Sequence, residues 1–248
     1  MTFVRRAALT LLCASIATAP AGGAPWAGVA VLMYHRVDRE VPRDAVGRDL
    51  TVDPETFEAQ LRWLQAHHVR TLTATELRAG LARGTRPENA VVLTFDDGYA
   101  EAATTVFPLL QRYGARATFF VSSGFVGTPN HLSWRQMRAM RAAGDEIACH
   151  GTEHLDLTQL DRTGQLREAG HCVASFRRYL AGWEPQSYAY PAGKYDASAI
   201  AVLQGLGFNC AFTERPGSVQ SLERPFELPR RRVSRDDGLG AFSALALP

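Results

Sequence analysis

Short apolar runs alternate with stretches of helical periodicity along almost the whole chain. Val29–Tyr34 (VAVLMY), Ala90–Phe95 (AVVLTF) and Ala117–Val121 (ATFFV) are almost wholly apolar, as strands buried on both faces are. Shorter runs at Glu146–Cys149, Ser187–Tyr190 and Phe208–Thr213 predict three more strands, and the tail Phe226–Val233 predicts another. Between them, Asp53-Pro54 reads as a helix cap with a first-turn proline, and Phe57, Leu61 and Leu64 recur at helical spacing through Gln65. Thr73 is placed to cap a helix over Ala74–Ala82. A helix around Ala100–Tyr113 is stopped by Gly114. Ser133 caps a helix through Ala143, ended by Gly144. A long helix is expected over roughly Thr158–Leu180, and Asp196 caps one that ends near Gly205 or Gly207.

This order of elements predicts about six or seven parallel β/α units with no linker between them. One barrel-like α/β domain is the natural solution, and an open doubly wound sheet is the alternative. At 248 residues and 46% hydrophobic, the chain can bury a full core.

Residues 1–24 stand apart. Arg5 and Arg6 precede the apolar stretch Ala7–Ala17, and small-x-small sites follow at Ala17-Thr18-Ala19 and Gly22-Gly23-Ala24. This pattern predicts a secretory signal peptide over 1–24 and an exported domain over 25–248, periplasmic or extracellular. The run is short for a bilayer, so no stable membrane span is expected. Leu12 before Cys13 argues against a lipid anchor there. Without Arg5 and Arg6, the 27 basic residues become 25 against 25 acidic ones. That balance gives no electrostatic footprint for nucleic acid. Cys149, Cys172 and Cys210 remain after the signal. They allow at most one bridge, with three small buried hydrophobes as the alternative.

The reactive side chains follow the strands. His35 follows VAVLMY, Asp96-Asp97-Gly98 follows AVVLTF, His150 follows EIAC and Pro191 follows SYAY. In parallel β/α folds these carboxyl ends share one rim, where active sites form. Asp96-Asp97 alone could be a helix cap and turn. HGTEH (150–154) alone is a weak signal. Together, two histidines and Asp97 make a recurrent catalytic metal set. His67, His68, His131 and His171 read as solvated. GxSxG, P-loop and GxGxxG motifs are absent, which disfavours serine-hydrolase and nucleotide chemistry.

LTFDDGY (93–99) and HGTEH (150–154), in this order and at this separation, resemble the first two motifs of the polysaccharide deacetylase, or NodB-homology, family (carbohydrate esterase family four). VLMYHRV (31–37), PETFEAQLRWL (54–64), ATFFVSSGFVG (117–127), LSW (132–134), AYPAGKYD (189–196) and LPRRRV (228–233) extend the likeness to a poly-N-acetylglucosamine deacetylase subgroup. The resemblance implies a single distorted (β/α) barrel and hydrolysis of N-acetyl groups from a polysaccharide, with release of acetate; the enzyme is expected to be a monomer. It implies Asp96 as general base and Asp97, His150 and His154 as ligands of a divalent metal. Zinc is the first candidate, with cobalt, nickel or manganese as alternatives. Tyr190, Pro191 and Ala192 would border the acetyl pocket, the Ala192 N–H facing the oxyanion. His35 would be the general acid.

Two positions depart from the family pattern. Ala189 stands where an arginine normally orients the base, and Ala192 stands where an aromatic is usual. Arg230 in LPRRRV is the expected replacement for the missing arginine. Two rival readings are a non-catalytic sugar-binding relative and a glycoside hydrolase using paired carboxylates. The latter leaves the HxxxH unexplained, and its acids normally face each other across the sugar.

Overall fold

The computed structural model describes residues 26–27 and 29–247, so the predicted signal peptide and Cys13 lie outside the described residues. Seven strands carry the architecture: β1 Ala30–Tyr34, β2 Ala90–Phe95, β3 Thr118–Val121, β4 Glu146–Cys149, β5 Ser187–Ala189, β6 Cys210–Pro216 and β7 Leu228–Arg232. Every pairing among them is parallel. Strand β7 pairs with β1 through Arg231–Leu32 and Arg232–Met33, and β1 pairs with β2 along its whole length. The sheet therefore closes into a seven-stranded barrel, which excludes the open sheet.

The barrel is irregular at β2. A short strand, Arg70–Leu72, pairs with the first half of β2, while β3 pairs with its second half. Arg70–Leu72 lies outside the sequence expectations, because three residues carry no usable periodicity.

Alternation along each strand divides the core in two. Val31, Val92, Phe120, Ala148, Ala189, Phe212 and Leu228 pack inside the ring with Ala74, Leu77 and Leu81, so helix Ala74–Arg83 plugs the amino-terminal mouth. Leu32, Tyr34, Leu93, Phe95, Phe119, Ile147 and Tyr188 face outward into the helical layer. The strands read as continuous apolar runs because both faces are covered.

Capping chemistry fixes the helix starts. Asp53 accepts from Glu55 N before Pro54–Ala66, Asp196 accepts from Ala199 N before Ala197–Gly205, and Thr73 and Ser133 form capping boxes with Glu76 and Gln136. Two helices differ from expectation. Over Ala100–Tyr113 the chain makes a π-helical turn, Ala102–Val106, before the α-helix Phe107–Arg112. Pro108 has no N–H to give one turn back, and the preceding turn widens. The long helix starts at Arg162, not near Thr158. Asp161 accepts the Gly164 N–H at 2.7 Å, and Leu157–Gln159 forms a separate 3₁₀ turn. A helix at Leu239–Ala246, unforeseen from sequence, sets Phe242 edge-on against Trp63. Cys149 and Cys172 form a disulfide, while Cys210 is free and buried.

Asp145, just before β4, is 5% exposed. One carboxylate oxygen accepts from Ala117 N at 2.9 Å and the other has no partner. Burial pushes its pKa up to about 6. The folded state thus holds this proton more tightly than the unfolded chain. The associated stability is complete below the ordinary carboxylate range near pH 4 and is lost as pH rises through 6. Asp145→Asn, which keeps the acceptor for Ala117, is expected to stabilise the protein at pH 7.5 by about 1–2 kcal/mol. The gain should vanish near pH 4. Urea unfolding at the two pH values checks this, and an equal gain at both would refute the assignment.

Candidate active site

The carboxyl ends of β1, β2, β4 and β5 open onto one rim. His35 follows Tyr34, Asp96 and Asp97 follow Phe95, His150 follows Cys149, and Tyr190 follows Ala189. Asp97 Oδ1 lies 3.4 Å from His150 Nε2 and 3.3 Å from His154 Nε2. One ligand atom from each of the three residues lies within 4.8 Å of the others. Ligands ~2.1 Å from one tetrahedral ion sit about 3.4 Å apart, so the set matches a shared cation. Asp97 Oδ1 is buried and has no hydrogen-bond partner. A buried carboxylate oxygen without a donor is costly unless a positive charge meets it.

The imidazoles are oriented for that task. His150 Nδ1 donates to the Ala189 carbonyl at 2.8 Å, which leaves Nε2 free to ligate. The backbone is strained at the same rim. Asp97 (φ 72), His154 (φ 57) and Ala192 (φ 50) all sit in the left-handed region. Gly98 completes the TFDDG turn, since a Cβ there would meet Val121 Cγ1 at 2.6 Å.

Asp96 is held differently. It is 1% exposed and takes two parallel hydrogen bonds from the equally buried Arg230, Nη1 to Oδ1 at 2.8 Å and Nη2 to Oδ2 at 2.7 Å. Arg230 is fixed in turn by Nε to the Thr213 carbonyl at 3.0 Å and Nη1 to Thr94 Oγ1 at 3.2 Å. Burial would raise the Asp96 carboxyl, but Arg230 and the imidazoles of His150 and His35 outweigh it and hold it below the usual range. Asp96 is therefore ionised and rigid. Burial lowers the pKa of His35 against the opposing pull of Asp96 and Asp97, so its imidazole rests neutral. His35 Nδ1 is buried and unpartnered.

The third predicted segment divides by residue. The Tyr190 hydroxyl donates to the Phe226 carbonyl at 3.1 Å and its ring stacks on Tyr195, so this side chain serves packing. Pro191 is buried, and Ala192 is exposed in its strained turn.

The family model for polysaccharide deacetylase matches residues 83–211, which hold the DD pair, both histidines and the Tyr190-Pro191-Ala192 turn. This chain belongs to the polysaccharide deacetylase family. It is thereby a hydrolase acting on amide bonds. YxkH of Bacillus subtilis, named for the same family, is 30% identical over 215 residues, covering 86% of this chain and 74% of that protein. The poly-β-1,6-N-acetyl-D-glucosamine N-deacetylase of Staphylococcus epidermidis is 26% identical over 227 residues, 83% of this chain and 78% of its own. In fold, the chain is similar to the Streptococcus pyogenes deacetylase PplD, with a TM-score of 0.83 at 24% identity over 90% of this chain and 99% of that one.

Within this deacetylase-family site, three features escaped the sequence reading. Thr94 and Thr213 brace Arg230, and Glu168 supports the HGTEH loop. In sequence the threonines are indistinguishable from ordinary strand residues, and Glu168 is one polar position among many on the helix Arg162–Tyr179. The one available signal was the i, i+4 spacing of Glu168 and Cys172, which puts both on one helix face.

Proposed function

We propose that this chain hydrolyses N-acetyl groups from an N-acetylated polysaccharide of the poly-N-acetylglucosamine type and releases acetate. The observation that carries this reading is the convergence of Asp97, His150 and His154 beside a carboxylate that Arg230 keeps ionised. The S. epidermidis relative, named for a β-1,6-linked glucosamine polymer, supports the substrate class.

Asp97, His150 and His154 hold the divalent ion, with zinc the first candidate and cobalt, nickel or manganese the alternatives. When bound, such an ion supplies Lewis-acid polarisation of the acetamide carbonyl and acidifies water. Asp96 accepts the proton of the attacking water at a carboxylate oxygen. Its lowered pKa makes it a modest base, so its contribution rests on fixed position more than on basicity. The Ala192 N–H donates to the developing oxyanion, and the Tyr190-Pro191 backbone shapes the wall beside it. His35 takes a proton from solvent and, as imidazolium, delivers it to the departing amine nitrogen. Export follows from residues 1–24 acting as a signal peptide, and the catalytic unit is residues 25–248, acting as a monomer.

Acetate release from a panel of N-acetylated glycans tests the reading. Chelation should abolish release, and zinc or cobalt should restore it. New reducing ends without acetate would establish a glycoside hydrolase instead. Glycan binding by metal-loaded protein without acetate release would establish a sugar-binding relative.

A further inference from the structure

Glu168 lies on the helix Arg162–Tyr179, outside every segment that carries the chemistry. It is 5% exposed, and no cationic side chain pairs with it among the described residues. One oxygen, Oε1, accepts three backbone N–H groups instead: Thr152 at 2.8 Å, Glu153 at 2.8 Å and Leu155 at 3.3 Å. These donors bracket His154 on both sides. Thr152 Oγ1 adds a bond to the Glu168 carbonyl at 2.7 Å. The loop approaches so closely that a Cβ on Gly151, at φ +80°, would lie 2.6 Å from Glu168 Oε1. One turn further along the helix, Cys172 is bonded to Cys149, the residue before His150. A single helix face thus fastens the HGTEH segment at two points.

We propose that Glu168 is a positioning residue for the metal site, acting through the Thr152–Leu155 backbone on His154. His154 adopts φ 57, a left-handed conformation that a non-glycine residue keeps only where its surroundings impose it. The convergent N–H groups share one buried acceptor, Glu168 Oε1, whose reach from the helix sets where the loop sits. With that acceptor gone, the donors lose their partner and the loop relaxes away from the left-handed turn. His154 Nε2 then leaves its place 3.3 Å from Asp97 Oδ1. The inference rests on the proposed metal site and deepens it. Groups that support a ligand without touching the metal typically change affinity ~10–100-fold.

The test is metal affinity, read by competition with a chromogenic chelator, together with the visible spectrum of the cobalt-loaded protein. Glu168→Gln retains an acceptor oxygen at the position of Oε1 and should keep near-native affinity and spectrum. Glu168→Ala should bind ~10–100-fold more weakly, with an altered cobalt spectrum. Glu168→Asp keeps the charge but withdraws the oxygen by one methylene. It should also bind more weakly than Glu168→Gln, and it serves as the probe if the alanine variant does not fold. Native affinity and spectrum in both Glu168→Ala and Glu168→Asp would overturn the proposal, as would Glu168→Gln losing metal as severely as Glu168→Asp. A native protein that binds neither zinc nor cobalt would overturn the metal site itself, and that result is distinct from either.

Discussion

Asp96→Asn is expected to lower acetate-releasing turnover by ~10²–10⁴-fold while leaving bound metal at its native level. The substitution is nearly isosteric, and its amide oxygen still accepts one of the two Arg230 hydrogen bonds, so the fold around the site should survive. What disappears is the proton acceptor. Asp96 contributes no atom to the Asp97, His150 and His154 group, so metal retention should not follow activity. Asp97→Ala supplies the contrast. It removes the carboxylate oxygen that lies 3.4 Å and 3.3 Å from the Nε2 atoms of His150 and His154, and both metal and turnover should be lost. Acetate kinetics measured beside metal content on the same samples separates the two roles. An Asp96→Asn enzyme with native turnover would remove Asp96 from the chemistry. Loss of metal in that variant would make Asp96 a ligand instead.

Arg230→Met should be the most destabilising single change near the site, by about 3–5 kcal/mol. The guanidinium is fully enclosed, and both of its terminal nitrogens serve Asp96. Its removal strands a buried carboxylate and also the Thr213 carbonyl. Most of the cost is that uncompensated charge, not the worth of the ion pair, because two charges leaving water repay little when they meet. The double variant Arg230→Met/Asp96→Asn should therefore recover a large part of the lost stability. Urea unfolding of the four members of this cycle measures the coupling. Additive losses would show that the pair is not coupled as its geometry implies. Arg230→Lys should rescue poorly, since an ammonium cannot supply two parallel donors.

The barrel and most of the rim were legible in the sequence because both depend on local pattern. Continuous apolar runs mark strands covered on two faces, and residues just after such runs must emerge at the carboxyl ends. His35, Asp96, Asp97 and His150 could be placed on one rim from order alone. Cap residues such as Thr73, Ser133 and Asp196 fixed the helix starts for the same reason, since each acts within three residues of itself.

Relations across long separations were decided only by the tertiary structure. Arg230 stands 134 residues from Asp96, and a resemblance could nominate it, but only closure of β7 onto β1 brings its guanidinium to that carboxylate. The choice of Cys149–Cys172 over the other pairings, and the use of Glu168 as the anchor of the HGTEH loop, also required the helix Arg162–Tyr179 to dock on β4. Sequence period encodes which face a residue occupies. It carries no information on which distant face that residue will meet, because this depends on the packing of the whole barrel.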